Sequence, residues 1–149
     1  MDMSEIRSGM LEILSAAIAA VVPRSSVRQR LEEEALNGGK VAIVAIGKAA
    51  GVMMESAWTH FGGRVADALL ITAPAYAGSI PANVRYVPGN HPLPDQTSLD
   101  AGSALLDFLS ARDPDTSLVF LISGGASAMV DVLEPHVSLE QMQEANRWM

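Results

Sequence analysis

Leu118-Val119-Phe120-Leu121-Ile122-Ser123-Gly124-Gly125-Ala126-Ser127-Ala128 is an apolar run that breaks into hydroxyl and glycine residues. Its first half carries large and β-branched apolar side chains and no charge, which predicts a strand covered on both faces, as in a parallel sheet between helices. Its second half is the end of that strand. In open α/β sheets ligands bind in the crevice beyond the carboxyl ends of the strands. Glycines admit a ligand close to the backbone, and amides that open a following helix favour anions. Ser123, Gly124, Gly125, Ala126 and Ser127 are therefore a candidate anion or phosphate cradle.

Working outward, Val41 to Ile46 is a second apolar, β-rich run. Gly47-Lys48-Ala49-Ala50-Gly51 follows it, and Val52, Met53, Ala57 and Phe61 then recur at helical spacing. Val65 to Thr72 reads as the next strand, so the unit is βαβ with a right-handed crossover and a parallel sheet. A weaker strand, Val84 to Val87, is reached through a surface loop from Pro74 to Pro81. Pro88-Gly89-Asn90-His91-Pro92-Leu93-Pro94-Asp95 is a stiff extended loop, and Asp95 is placed to cap a helix from about Gln96 to Ala111.

The flanks are helical. Ile6, Met10, Ile13, Leu14, Ala17, Ile18 and Val21 form an amphipathic stripe that stops before Pro23. The run from Met10 to Val22 resembles the apolar core of an export signal, but Asp2, Glu5 and Glu12 stand where a positive leader belongs, and the run is too short to span a bilayer. A cytoplasmic protein is expected. Ser25 or Ser26 is expected to cap a second helix from Arg28 to Leu36, with Arg28/Glu32 and Arg30/Glu34 as i,i+4 pairs and Asn37-Gly38-Gly39 as its stop. Ser138-Leu139-Glu140-Gln141 is a capping-box pattern, opening a last helix with Met142, Ala145 and Trp148 or Met149 inward. That helix reaches the end of the sequence without a stop signal, which fits a truncated chain and a frayed terminal helix equally.

Composition narrows the classes. The 149 residues are 49% apolar, enough for one domain with a real core, 1–149. There is no cysteine, so disulfides, zinc–thiolate sites and thiol catalysis are excluded. Seventeen acidic against ten basic residues give a net charge of −7, which argues against a sequence-independent grip on nucleic acid or an anionic membrane.

Three clusters are candidates for chemistry. Lys48 sits at a strand end and a helix start, where a cation binds phosphate or carboxylate as a point charge, and where the helix dipole disfavours a lysine without a reason. Neither G-x-x-x-x-G-K-[ST] nor G-x-G-x-x-G is present, so the usual nucleotide and nicotinamide fingerprints are missing. Ser123 and Ser127 fail the spacing of a nucleophile elbow, since Met129 and Leu121 stand where glycines belong. Asn90, His91 and Asp95 in the proline-rich loop are candidate substrate contacts, against the plainer reading of an exposed or capping loop. His60 needs only a helix C-terminus to explain it, His136 lies in a loop, and no spacing of His and carboxylates forms a metal cage.

Gly47-Lys48-Ala49-Ala50, Gly89-Asn90-His91-Pro92-Leu93-Pro94-Asp95 and Leu121-Ile122-Ser123-Gly124-Gly125-Ala126-Ser127-Ala128, in this order, resemble the N-terminal domain of the glycerate 2-kinase family, the MOFRL-associated type also named hydroxypyruvate reductase. The resemblance covers most of the chain, with one departure: Ala126 stands where the family usually has a third glycine, and its methyl group is expected to narrow the cradle. It implies a Rossmann-like three-layer α/β/α fold with a mostly parallel sheet. It also implies ATP- and magnesium-dependent transfer of phosphate to the 2-hydroxyl of D-glycerate, in a cleft facing a second domain that this chain lacks. Carried over, Lys48 neutralises substrate or transferring phosphate, the Ser123–Ser127 turn holds anionic groups, and Asn90, His91 and Asp95 shape the pocket. The implied partners are glycerate, a nucleotide and the missing C-terminal domain, with a homodimer left open, and the isolated piece is expected to be inactive. The alternatives are a self-standing anion-binding or interaction domain, and hydroxypyruvate reduction.

Overall fold

The computed structural model describes residues 2–20, 22–34, 36, 38–78 and 80–148. In chain order the elements are α1 (Met3–Ala20), α2 (Pro23–Glu33), β1 (Val41–Ile46), α3 (Ala50–Phe61), β2 (Val65–Thr72), β3 (Arg85–Pro88), α4 (Gln96–Ser110), β4 (Ser117–Ile122), α5 (Ala126–Met129) and α6 (Leu139–Trp148). Short 3-10 turns follow α3 and β2, at Gly62–Arg64 and Pro74–Tyr76.

The four strands lie in the order β3-β2-β1-β4, and every pairing is parallel. Strand β1 is buried along its whole length, as expected of a central strand with helices on both sides. Alternation along each strand divides the core into two layers. Ile43, Ala45, Leu70, Val119 and Leu121 meet Val27 and Leu31 of α2 and Met54, Ala57 and Phe61 of α3. On the other face Val44, Ile46, Leu69 and Ile71 meet Ala101 and Phe108 of α4 and Met129 of α5. The chain is thus the α/β arrangement expected, a parallel sheet flanked by helices, and all strand ends point the same way.

Several local expectations are corrected. β4 is not covered on both faces: Val119 and Leu121 are buried, while Leu118, Phe120 and Ile122 are exposed, because β4 is the last strand of the sheet and α4 packs over β2 and β3 instead. The second helix, α2, starts at Pro23, so Ser25 and Ser26 lie inside that helix and their hydroxyls donate back to the Val22 carbonyl rather than capping. Proline at the first helical position replaces the expected cap, since its missing N–H has no intrahelical partner there anyway. The Arg28–Glu32 and Arg30–Glu34 pairs form, at 2.9 and 2.8 Å. The capping box at Ser138 and Gln141 also forms, yet α6 buries none of its described side chains and Trp148 and Ala145 are exposed. α1 likewise has its helical stripe but no buried residue. Val21, Asn37 and Met149 lie outside the described residues. Among the described residues no single helix is long and apolar enough to cross a membrane.

Candidate active site at the strand ends

The turn after β1 and the turn after β4 are stitched together. The Ser123 amide donates to the Ile46 carbonyl (2.9 Å), and the Lys48 amide donates to the Gly124 carbonyl (3.0 Å). The Ser123 hydroxyl accepts from the Ala49 amide at 3.0 Å and donates to the Ile46 carbonyl at 3.3 Å. Gly47 sits between them with φ +112°, and a Cβ there would stand 2.6 Å from the Ser123 carbonyl oxygen. Only glycine tolerates both the left-handed backbone and that approach. The consequence is a rigid shelf from which the Lys48 side chain projects into solvent.

Gly125 has φ +86° and opens α5. A Cβ there would lie 2.8 Å from His91 Cδ2 and 3.3 Å from Lys48 Cε. Lys48 after β1, His91 after β3 and Gly125 after β4 therefore meet at one point, although 43 residues separate the first pair in the chain and 34 the second. Tyr76, in the turn after β2, stands edge-on to His91 with ring centroids 6.4 Å apart, so each of the four strand ends contributes one group. Lys48, Gly124 and Ser127 are exposed and His91 is half-buried, which makes the site an open shelf rather than a closed pocket.

Other predicted residues turn toward the protein. The Asn90 side-chain amide donates to the Leu93 carbonyl at 3.0 Å, holding its own loop. Asp95 caps α4 as expected: its carboxylate accepts from the Thr97 amide (2.8 Å) and hydroxyl (2.6 Å). Ala126 packs against the core layer under α4 and α5, so its methyl serves the core below the turn. α5 is a single turn of four residues, too short for a substantial helix dipole, so any anion held there relies on individual amides and on Lys48. Among the described residues no group of three or more His, Asp or Glu gathers where a metal could be held.

Two residues at the site were not singled out from the sequence. Tyr76 looked like part of a surface loop. Ser98 is fully buried, donates to the Ala128 carbonyl at 2.7 Å, and accepts from the Asn90 and Asp95 amides at 3.3 and 3.2 Å. One hydroxyl thus ties the His91 loop, α4 and α5 together. A serine three residues after a capping Asp was its only signal, weaker than the Glu or Gln of a standard capping box.

Fold and site define a parallel α/β domain with a polar shelf at the strand ends. A family model described as "Domain of unknown function (DUF4147)" matches residues 9–149. The chain belongs to this family, the N-terminal domain of glycerate 2-kinases. The D-glycerate 2-kinase of Thermotoga maritima is 27% identical over 143 residues, which is 96% of this chain and 34% of that protein. The glycerate 2-kinase of Pyrococcus horikoshii is 30% identical over 105 residues, 70% of this chain and 23% of the relative, and a putative hydroxypyruvate reductase of Agrobacterium vitis is 29% identical over 128 residues. The crystal structure of glycerate kinase from Thermotoga maritima superposes with a TM-score of 0.86 at 26% identity, over 95% of this chain and 34% of that one. This chain therefore spans about a third of the length of that relative.

Proposed function

We propose that this chain forms one wall of the active-site cleft of a cytoplasmic glycerate 2-kinase, which transfers phosphate from ATP to the 2-hydroxyl of D-glycerate and gives 2-phosphoglycerate. The observation that carries the reading is the meeting of Lys48, His91 and Gly125 at the ends of three parallel strands. Phosphoryl transfer asks a protein chiefly to position reactants and to stabilise charge. The Lys48 ammonium supplies a point charge on a rigid shelf, and the backbone beyond Gly124 supplies donors next to it. His91, with Tyr76 edge-on behind it, stands beside Gly125 and limits where a carboxylate or hydroxyl can lie. ATP, when bound, supplies the phosphoryl group, and these residues suit an anion of that kind. They do not suit magnesium: Asp95 is spent on its cap, and among the described residues no group of three or more His, Asp or Glu gathers that could hold the ion.

Half a clamp binds weakly and turns over poorly, because the facing wall comes from the part of the family's length that this chain does not match. The test is an NMR titration of the 149-residue chain with inorganic phosphate and with D-glycerate, together with a coupled phosphorylation assay. Amide shifts across Gly124 to Ser127 are expected in the wild type and absent in Lys48→Ala, whose melting temperature should not change because Lys48 is exposed. No response in either protein, or robust turnover by the isolated chain, would overturn the reading.

A further inference from the structure

α6 meets the rest of the chain along one narrow face. Leu139, Met142, Gln143 and Asn146, spaced i, i+3, i+4 and i+7, are half-buried, while the other described residues of the helix are exposed. Among the described residues, one hydrogen bond joins α6 to a distant part of the chain: Gln143 Nε2 donates to the Pro94 carbonyl at 2.8 Å, across 49 residues. Pro94 belongs to the loop that carries His91, and its side chain is fully buried. The loop's own ties stop short of that carbonyl. The Leu93 carbonyl just before it is taken by the Asn90 side-chain amide at 3.0 Å, and the Asn90 and Asp95 amides go to the Ser98 hydroxyl. Gln143 therefore supplies the one partner that the loop does not provide for itself, and its loss would strand a part-buried carbonyl.

We propose that Gln143 is a positioning residue of the candidate site, and that through it the docking of α6 and the placement of His91 beside Gly125 form one equilibrium. His91 reaches the site with its Cδ2 and Nε2 edge, 2.8 and 3.2 Å from where a Cβ on Gly125 would stand. Pro94 lies three residues further along the same loop, and the fixed backbone angles of Pro92 and Pro94 pass a displacement at one end to the other. α6 is poised to control it. None of its described side chains is fully buried, and a ten-residue helix is marginal in water without such packing. A single hydrogen bond therefore weighs heavily in whether α6 docks. Coupling of this kind is reciprocal: a ligand that settles between His91 and the Gly125 turn tightens α6, and release of α6 loosens the shelf. The class of that ligand, a phosphate or carboxylate anion, rests on the function proposed above; the tie between α6 and His91 does not.

The test is NMR on the 149-residue chain and two variants. In the wild type, the Gln143 side-chain amide protons should exchange about 10-fold more slowly than those of Gln141, whose side chain only accepts, from the Ser138 amide. Gln143→Met keeps the length and helix propensity of the side chain and deletes its donor. Gln143→Lys puts a donor back at the tip. The nuclear Overhauser cross-peak between the His91 Hδ2 and Gly125 Hα protons should weaken in Gln143→Met and recover in Gln143→Lys, while the α6 backbone amides exchange about 10-fold faster in the first variant only. Saturating inorganic phosphate should slow those amides in the wild type by about threefold. On warming the wild type, the cross-peak should fade together with α6. Equal exchange at Gln141 and Gln143, an unchanged cross-peak in Gln143→Met, or no recovery in Gln143→Lys overturns the proposal. So does a cross-peak that outlasts α6 on warming, which decides the matter whether or not Gln143→Met folds. A wild type that ignores phosphate overturns the proposed function instead, and the cross-peak still decides the role of Gln143.

Discussion

The Ser123 hydroxyl accepts a 3.0 Å hydrogen bond from the Ala49 amide, so a side chain at the end of β4 closes the turn that carries Lys48. Replacing it leaves a half-buried amide without that acceptor. Ser123→Ala should cost about 2 kcal/mol, lowering the melting temperature by roughly 4–8 °C. The phosphate response of the Gly124–Ser127 amides should weaken at the same time, because the shelf loosens. Differential scanning calorimetry and the NMR titration read the two effects separately.

Gly47→Ala should be the more damaging of two glycine changes. Its Cβ would meet backbone, the Ser123 carbonyl at 2.6 Å, and its φ of +112° strains any side chain. Strain and overpacking together amount to on the order of 3 kcal/mol. At Gly125 the new methyl meets the flexible end of Lys48 and the His91 ring, so Gly125→Ala should lose about 1–2 kcal/mol from its left-handed backbone and should chiefly displace His91. Gly124→Ala, with open space around it, is the control and should be close to neutral. Chemical denaturation of the three variants ranks them.

Ser98→Ala should destabilise by about 2–3 kcal/mol, since it orphans the Ala128 carbonyl and deprives the Asn90 and Asp95 amides of their acceptor. The His91 ring resonances should broaden or shift because the loop loses its tie to α4. An unchanged His91 spectrum would show that the stiff loop holds its shape alone.

Thr72→Val should go the other way. The Thr72 hydroxyl is buried at the end of β2 and has no partner among the described residues, while the threonine carbonyl accepts from the Gly89 amide and the Tyr86 hydroxyl. An isosteric methyl removes an unpaired polar atom, so stability should rise by about 1 kcal/mol, measured as a higher denaturant midpoint.

The elements of the sheet were legible because their patterns are local. Apolar runs at Val41–Ile46 and, after Asp67, at Ala68–Ile71 can be read one at a time. The same logic misjudged β4: Leu118 to Ile122 looks like an interior strand and is an edge in this chain, because burial depends on a neighbour whose presence the run does not encode. α1 and α6 show the same limit: both are helices as expected, yet none of their described residues is buried. At the site, Lys48, His91 and the glycine turn were singled out by residue type and position at strand ends. Tyr76 and Ser98 were not, since their importance comes from contacts 15 and 30 residues away along the chain.

By itself the sequence determined the alternation of strands and helices, the cap at Asp95, the glycine turns and the family motifs, all of them set by neighbours within a few residues. Tertiary structure alone decided the strand order, and with it which ends converge. Placing β1 between β2 and β4 brings Lys48 beside Gly125 and leaves room for His91 against both. It also decided that Asn90 and Asp95 turn to their own backbone and that Phe120 faces water. Hydrogen-bond partners and burial are properties of pairs distant in the chain, and only the assembled sheet chooses those pairs.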